Sequence, residues 1–159
     1  MSGLAVAKSW DQDAALSIVQ QNKSLEGALM PILHALNDAF GYVDASIVPL
    51  IADELNLSRA EVHGVLTFYH DFRKQPAGRH VVKICRAEAC QSMAGRDLEA
   101  HVTRHLGVEL GGTTSDQRIT FEAIYCLGLC ANAPSMMVDG KLHARMSPAK
   151  FDRLAGELR

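Results

Sequence analysis

The chain has 159 residues, 48% of them hydrophobic and 21% charged, and a net charge of -2. That length holds one ordinary domain or two small ones, the composition is that of a folded chain, and the charge leaves no overall field to draw it to nucleic acid or anionic lipid. The longest uncharged stretch, Ala123 to Val138, has 16 residues interrupted by Gly128, Asn132 and Pro134, so no membrane span is expected. Met1 to Trp10 carries one lysine and no apolar run before a small-residue cleavage site, so neither a secretory nor a transit signal is read and a cytoplasmic location is the default.

A weak helical pattern covers Asp11 to Gln20. From Ser24 to Phe40 the apolar residues Leu25, Leu29, Ile32, Leu33, Leu36 and Phe40 fall at helical spacing; Pro31 should kink this helix or delay its start, and Gly41 should stop it. A second segment runs from about Ala45 to Leu55 around Pro49. A third opens at Ser58, which can cap it while Glu61 completes a capping box, with Val62, Val65, Leu66 and Tyr69 as the buried stripe. These segments predict a small helical bundle over residues 1–77, ending near Gln75-Pro76-Ala77-Gly78.

Over residues 78–159 the period changes. Val81 to Cys85 reads as a strand, Met93 to Leu106 as a helix stopped by Gly107, and Ile119 to Tyr125 as an alternating strand, which is one β-α-β unit. Gly111 to Ser115 reads as a connector. Ser135 to Val138 and Lys141 to Ala144 are short strands about an Asp139-Gly140 hairpin turn, and Ser147-Pro148 starts a last helix bearing Phe151, Leu154 and Leu158. The order β-α-β-β-β-α fits a thioredoxin-like sheet, and the chain as a whole is α/β.

All four cysteines lie in this second half: Cys85 and Cys90 spaced C-x4-C, Cys126 and Cys130 spaced C-x3-C, with 35 residues between the pairs. In a β-α-β unit both strands run the same way, so Cys85 and Cys126 should leave the sheet at one edge, with Cys90 and Cys130 in the adjacent loops. Four thiolates converging there suit a 2Fe-2S cluster. Such a cluster is anionic and needs N–H donors, which a helix following Cys90 could aim at the sulfurs, while Gly128 would let the second loop approach closely. A structural zinc and paired disulfides remain as alternatives; a thioredoxin C-x-x-C is absent, and His80 and His143 lie outside both loops, against Rieske ligation.

Elsewhere the plain readings prevail. His101 and His105 share a helix face without an H-E-x-x-H pattern and read as solvated histidines; His63 and His70 beside Asp71 have no nucleophile near; Met136 and Met137 read as packing around the cysteine corner. No glycine-rich nucleotide motif occurs, and no catalytic residue is assigned.

Phe40-Gly41-Tyr42, Thr67-Phe68-Tyr69, the pair Cys85 and Cys90, Gly112-Thr113-Thr114, and Cys126-Leu127-Gly128-Leu129-Cys130 before Ala133-Pro134 together carry a resemblance over about Ser24 to Leu158. The sequence resembles the small thioredoxin-like 2Fe-2S subunit of NADH dehydrogenase (complex I), NAD-reducing hydrogenases and NAD-dependent formate dehydrogenases. The stretch Cys85 to Met93 looks most like the gamma subunit of soluble formate dehydrogenase, whereas complex I relatives tend to have Arg-Gly after the second cysteine. Gln117 departs from the family, which often has glycine there. The resemblance implies that Cys85, Cys90, Cys126 and Cys130 hold one 2Fe-2S cluster. It also implies docking on a flavoprotein subunit that carries FMN and NAD, and a larger subunit that oxidises the substrate; residues 1–77 would clasp the flavoprotein. A zinc-stabilised interaction module and a free-standing 2Fe-2S sensor or ferredoxin are the competing readings.

Overall fold

The computed structural model describes residues 9–159, and the first eight residues of the leader reading fall outside them. The chain divides between Pro76 and Ala77 into two compact units.

The first unit is helical, with α1 (Gln12–Asn22), α2 (Leu29–Phe40), a 3-10 turn (Ala45–Ile47), α3 (Val48–Leu55) and α4 (Arg59–Phe68). Each boundary has a local cause. The Asp11 carboxylate accepts from the N–H groups of Asp13 and Ala14 and starts α1. Pro31 delays α2 rather than kinking it: the helix begins at Leu29, so the proline sits in the first turn, where a missing N–H costs nothing. Gly41, at φ 78°, ends the same helix. Pro49 likewise falls in the first turn of α3, and Ser58 and Glu61 form the expected capping box on α4. Ile32, Leu33, Leu36, Phe40, Ile51, Val62 and Leu66 meet in one core. Tyr69 does not join it; α4 stops at Phe68, and Tyr69 lies beyond the helix with 44% of its surface exposed.

The second unit carries a four-stranded sheet of β1 (His80–Cys85), β2 (Ile119–Ile124), β3 (Met136–Val138) and β4 (Lys141–His143). Its spatial order is β2-β1-β3-β4, parallel between β1 and β2 and antiparallel elsewhere. Asp139 and Gly140, at φ 49° and 79°, make the tight turn of the β3–β4 hairpin. Two long helices, α6 (Gly95–Leu106) and α7 (Pro148–Glu157), cover the sheet, and Leu98, Val102, Phe151 and Ala155 share a core with Val82, Ile84, Ile119, Phe121 and Met136. Met136 therefore belongs to the core of this unit.

Two sequence expectations change here. The helix expected from Met93 starts two residues later, as α6 at Gly95, and a short α5 (Glu88–Ser92), in a stretch read as loop, precedes it; Ala94, at φ 61°, separates the two. The Gly111–Ser115 connector is also structural. Gly111 N–H donates to Phe121 O, Phe121 N–H donates to Gly112 O, and the buried Thr114 hydroxyl accepts from the N–H groups of Arg118 and Ile119. This holds β2 on its outer side, at the edge not taken by β1.

Candidate iron-sulfur site

Parallel pairing sets Cys85 opposite Ile124, so Cys85 closes β1 while Cys126 follows β2 by two residues at the same edge. The partners come from short helical turns rather than loops: Cys90 lies inside α5, and Cys130 opens a 3-10 turn, Cys130–Asn132. Because Cys90 is itself helical and α6 starts five residues later, no long helix begins directly after it to serve the sulfurs. Backbone groups in the tight turns take that part.

The four sulfurs form an inner and an outer pair. Cys85 and Cys90 are each 2% exposed, whereas Cys126 and Cys130 are at the surface. Cys126 Sγ is 3.7 Å from Cys130 Sγ and accepts from Gly128 N–H at 3.4 Å. Cys126 holds φ 89°, a conformation rarely taken by a side-chain-bearing residue and one that surrounding structure must impose. Gly128 holds a φ of 74°, and a Cβ there would meet no protein atom within 4 Å.

Ionisation shows how close the sulfurs are to one another. Burial opposes the Cys85 thiolate, but the N–H groups of Ala87, Cys126 and Leu127 together with the Cys90 thiol outweigh it and hold the thiol below its ordinary value. Cys130 moves the other way. Its thiol is pushed up by the Cys126 sulfur, through a hydrogen bond and through charge, then by desolvation and by the charges of Cys90 and Cys85. Four thiolates in one corner repel each other unless cationic metal lies between them.

The sulfur spacings can be set against those of a single metal ion. A single tetrahedral zinc with bonds of about 2.3 Å puts all four sulfurs about 3.8 Å apart. Among the described residues no three cysteine sulfurs have all their separations within 4.8 Å. One pair, Cys126 and Cys130, does have the spacing of two thiolates on one metal.

Two residues that support the site carry little signal in the sequence. Ser135, 1% exposed, places its hydroxyl 3.5 Å from Cys90 Sγ, and its carbonyl accepts from Cys85 N–H. Gly95 lies so close beneath α5 that a Cβ would come within 2.5 Å of the Cys90 carbonyl oxygen. Its one hint is a glycine at the start of a helical pattern.

The profile of the family Thioredoxin-like 2Fe-2S ferredoxin matches residues 15–159. The chain is 31% identical over 144 residues to the HndA component of the NADP-reducing hydrogenase of Solidesulfovibrio fructosivorans, covering 88% of this chain and 84% of that one. It is 35% identical over 114 residues to one of the subunits of the NADH-quinone oxidoreductase of Escherichia coli, covering 72% and 69%. A crystal structure of an air-oxidised NAD+-reducing NiFe hydrogenase shares the fold, with a TM-score of 0.61 and 21% identity over 91% of this chain, which spans 22% of that longer one. Among the described residues no helix is long and apolar enough to cross a membrane. The parallel β1–β2 edge, the paired sulfurs and a profile match over nearly the whole length agree: the chain belongs to the thioredoxin-like 2Fe-2S ferredoxin family, and its cofactor is one 2Fe-2S cluster.

Proposed function

We propose that Cys85, Cys90, Cys126 and Cys130 ligate the cluster and that the chain is the electron-transfer subunit of a soluble, cytoplasmic NAD-dependent formate dehydrogenase. The division of the sulfurs into a buried pair and an exposed pair carries this reading. The inner ligands anchor the cluster in the protein, and the outer ligands bring it to the surface, where an electron can cross to a partner. The cluster supplies one-electron chemistry beside a flavin that exchanges two electrons with NAD as hydride. The chain's own part is to position that centre, to donate N–H groups to its sulfurs and to present the face around Cys126 and Cys130. Tyr125 and Met93, 71% and 57% exposed, flank the two ligand turns and give that face apolar surface for docking.

The partner in this reading is a flavoprotein subunit carrying FMN and NAD, with a larger subunit that oxidises the substrate. Residues 1–77 clasp the flavoprotein, since they contain no chemistry of their own and present the aromatic surface of Phe68 and Tyr69. Formate is supported by the resemblance of the Cys85–Met93 stretch. The named relatives favour a second reading, the equivalent subunit of an NAD(P)-reducing hydrogenase or NADH-quinone oxidoreductase.

The test begins with metal content after anaerobic purification: about two irons per chain and negligible zinc are expected. Zinc held by the cysteines in place of iron would overturn the electron-transfer reading in favour of a zinc-stabilised module. The complex purified through this chain should contain a flavoprotein, and formate should bleach the cluster absorbance. Bleaching by NADH or hydrogen but not by formate selects the second reading.

A further inference from the structure

His101 and His105, one turn apart on α6, meet a third donor in the fold. Asp152, on the neighbouring α7, places Oδ1 2.7 Å from His101 Nε2 and 3.1 Å from His105 Nδ1. Among the described residues this is the one group of three or more His, Cys, Asp or Glu side chains whose donor atoms all lie within 4.8 Å of one another. Both rings stand nearly perpendicular to Phe151, with centroids at 6.3 and 5.4 Å and interplanar angles of 87° and 83°. Phe151 is 1% exposed and fixed in the core, so it forms a rigid wall that limits how the two imidazoles can turn.

We propose that His101, His105 and Asp152 form a binding site for one divalent transition-metal ion of the kind that takes imidazole and carboxylate together, with Zn2+ as its type, separate from the cysteine corner. The donor set is two nitrogens and one oxygen from three side chains, the composition of an open three-ligand zinc site with a water as fourth ligand. Ligands at about 2.0–2.2 Å from a tetrahedral ion lie roughly 3.3–3.5 Å apart. The observed 2.7 and 3.1 Å therefore need to open by well under an ångström, a movement within reach of side chains that are 25%, 39% and 43% exposed. In the ion-free protein His101 Nε2 and His105 Nδ1 both face the one carboxylate oxygen. On binding, each ring presents a lone pair on that nitrogen to the ion, any hydrogen it carried there moving to the other ring nitrogen or to solvent, and water completes the shell. The bound ion ties α7 to α6, so its effect is to hold the C-terminal helix on the sheet.

Since cysteine thiolates also take zinc, the test uses full-length protein with its cluster in place. Equilibrium dialysis against micromolar Zn2+, followed by metal analysis, should add about one zinc per chain with iron and cluster absorbance unchanged, and should raise the unfolding temperature. His105→Ala should weaken zinc binding at least about tenfold, and the double variant His101→Ala/His105→Ala should lose both the binding and the thermal shift. Asp152→Asn, close to the native side chain in shape, should weaken binding as well; unchanged cluster absorbance in each variant shows that the fold is intact. Failure to bind zinc, zinc taken up only as iron is lost, or equal binding by the double variant would each overturn the proposal. Iron absent from the cysteines would refute the cluster reading alone, because the histidine variants still report on this site separately.

Discussion

Gly95 provides a sharp test of how the cluster turn is built, because the same substitution elsewhere should act in the opposite direction. In Gly95→Ala the new Cβ would lie 2.5 Å from the Cys90 carbonyl oxygen and 2.9 Å from its carbon, and both are backbone atoms that cannot swing away. The junction of α5 and α6 must shift, and overpacking of this kind costs about 1–3 kcal/mol. Alanine recovers at most about 1 kcal/mol of helix propensity, and less at the first residue of α6. The net loss is about 1–2 kcal/mol, a factor of roughly 5–30 in the folded-to-unfolded ratio. In Gly64→Ala, in the middle of α4, the added methyl meets nothing within 4 Å, and the helix should gain about 0.5–1 kcal/mol. Urea unfolding followed by cluster absorbance reads the first variant, and far-ultraviolet dichroism reads the helical unit in the second. For Gly95→Ala the midpoint should fall by roughly half to one molar, with iron content falling too, because Cys90 moves with its carbonyl. A Gly95→Ala protein with the native midpoint and full iron would refute this account, as would a Gly64→Ala protein destabilised to the same degree.

Ser135→Ala removes the hydroxyl beside Cys90 Sγ. With Cys90 as the ligand proposed above, losing a donor to its sulfur disfavours the more negative reduced state, so a redox titration should find the potential lower by about 20–40 mV, and an unchanged or higher value would count against that hydrogen bond. Gln117 holds φ 55°, so Gln117→Gly should relieve left-handed strain and stabilise the protein by up to about 1 kcal/mol in urea unfolding, with the cluster unaltered. Burial, followed by the positive charges of Lys150 and Lys141, holds the His143 imidazole below its ordinary value. The unfolded chain then takes the proton first, so the contribution of His143 is complete above the ordinary histidine value near 6.5 and is lost as pH falls from there toward the folded value. His143→Gln should lose less stability than the native protein between about pH 7 and pH 5; parallel profiles would show that the folded site does not discriminate against the proton. Cys126→Ala, which removes half of the outer pair, should leave the chain without stable iron on metal analysis.

The helical unit is legible because its signals are local. A capping box, first-turn prolines and a stopping glycine each act within one helical turn, and the apolar period of α2 survives in the core formed by Ile32, Leu33, Leu36 and Phe40. The errors fall where tertiary structure overrides a local pattern. Tyr69 continues the stripe of α4 by count, but the helix ends one residue before it. The pattern from Met93 to Leu106 gives α6 to within two residues, but it does not show the short α5 before it or the break at Ala94 that separates them. That break allows α5 to turn Cys90 inward beside Cys85, a demand set by the site and not by helix propensity.

The same distinction separates the parts of the site. The four cysteines can be read because thiol chemistry narrows the options and parallel strands must end at one edge. Their supports cannot. Ser135 and Gly95 are ordinary residues whose importance lies in one distance each, to Cys90 Sγ and to the Cys90 carbonyl, and neither distance follows from spacing along the chain. Asp152 is the clearest case: 51 positions separate it from His101, and only the packing of α7 beside α6 brings its carboxylate to the two rings. A sequence pattern can identify donors that share one helix face, but a ligand completed from a second helix depends on how the two helices pack. The His101–His105 pair reads as inert on its own for that reason, and the third donor is what turns it into a testable metal site.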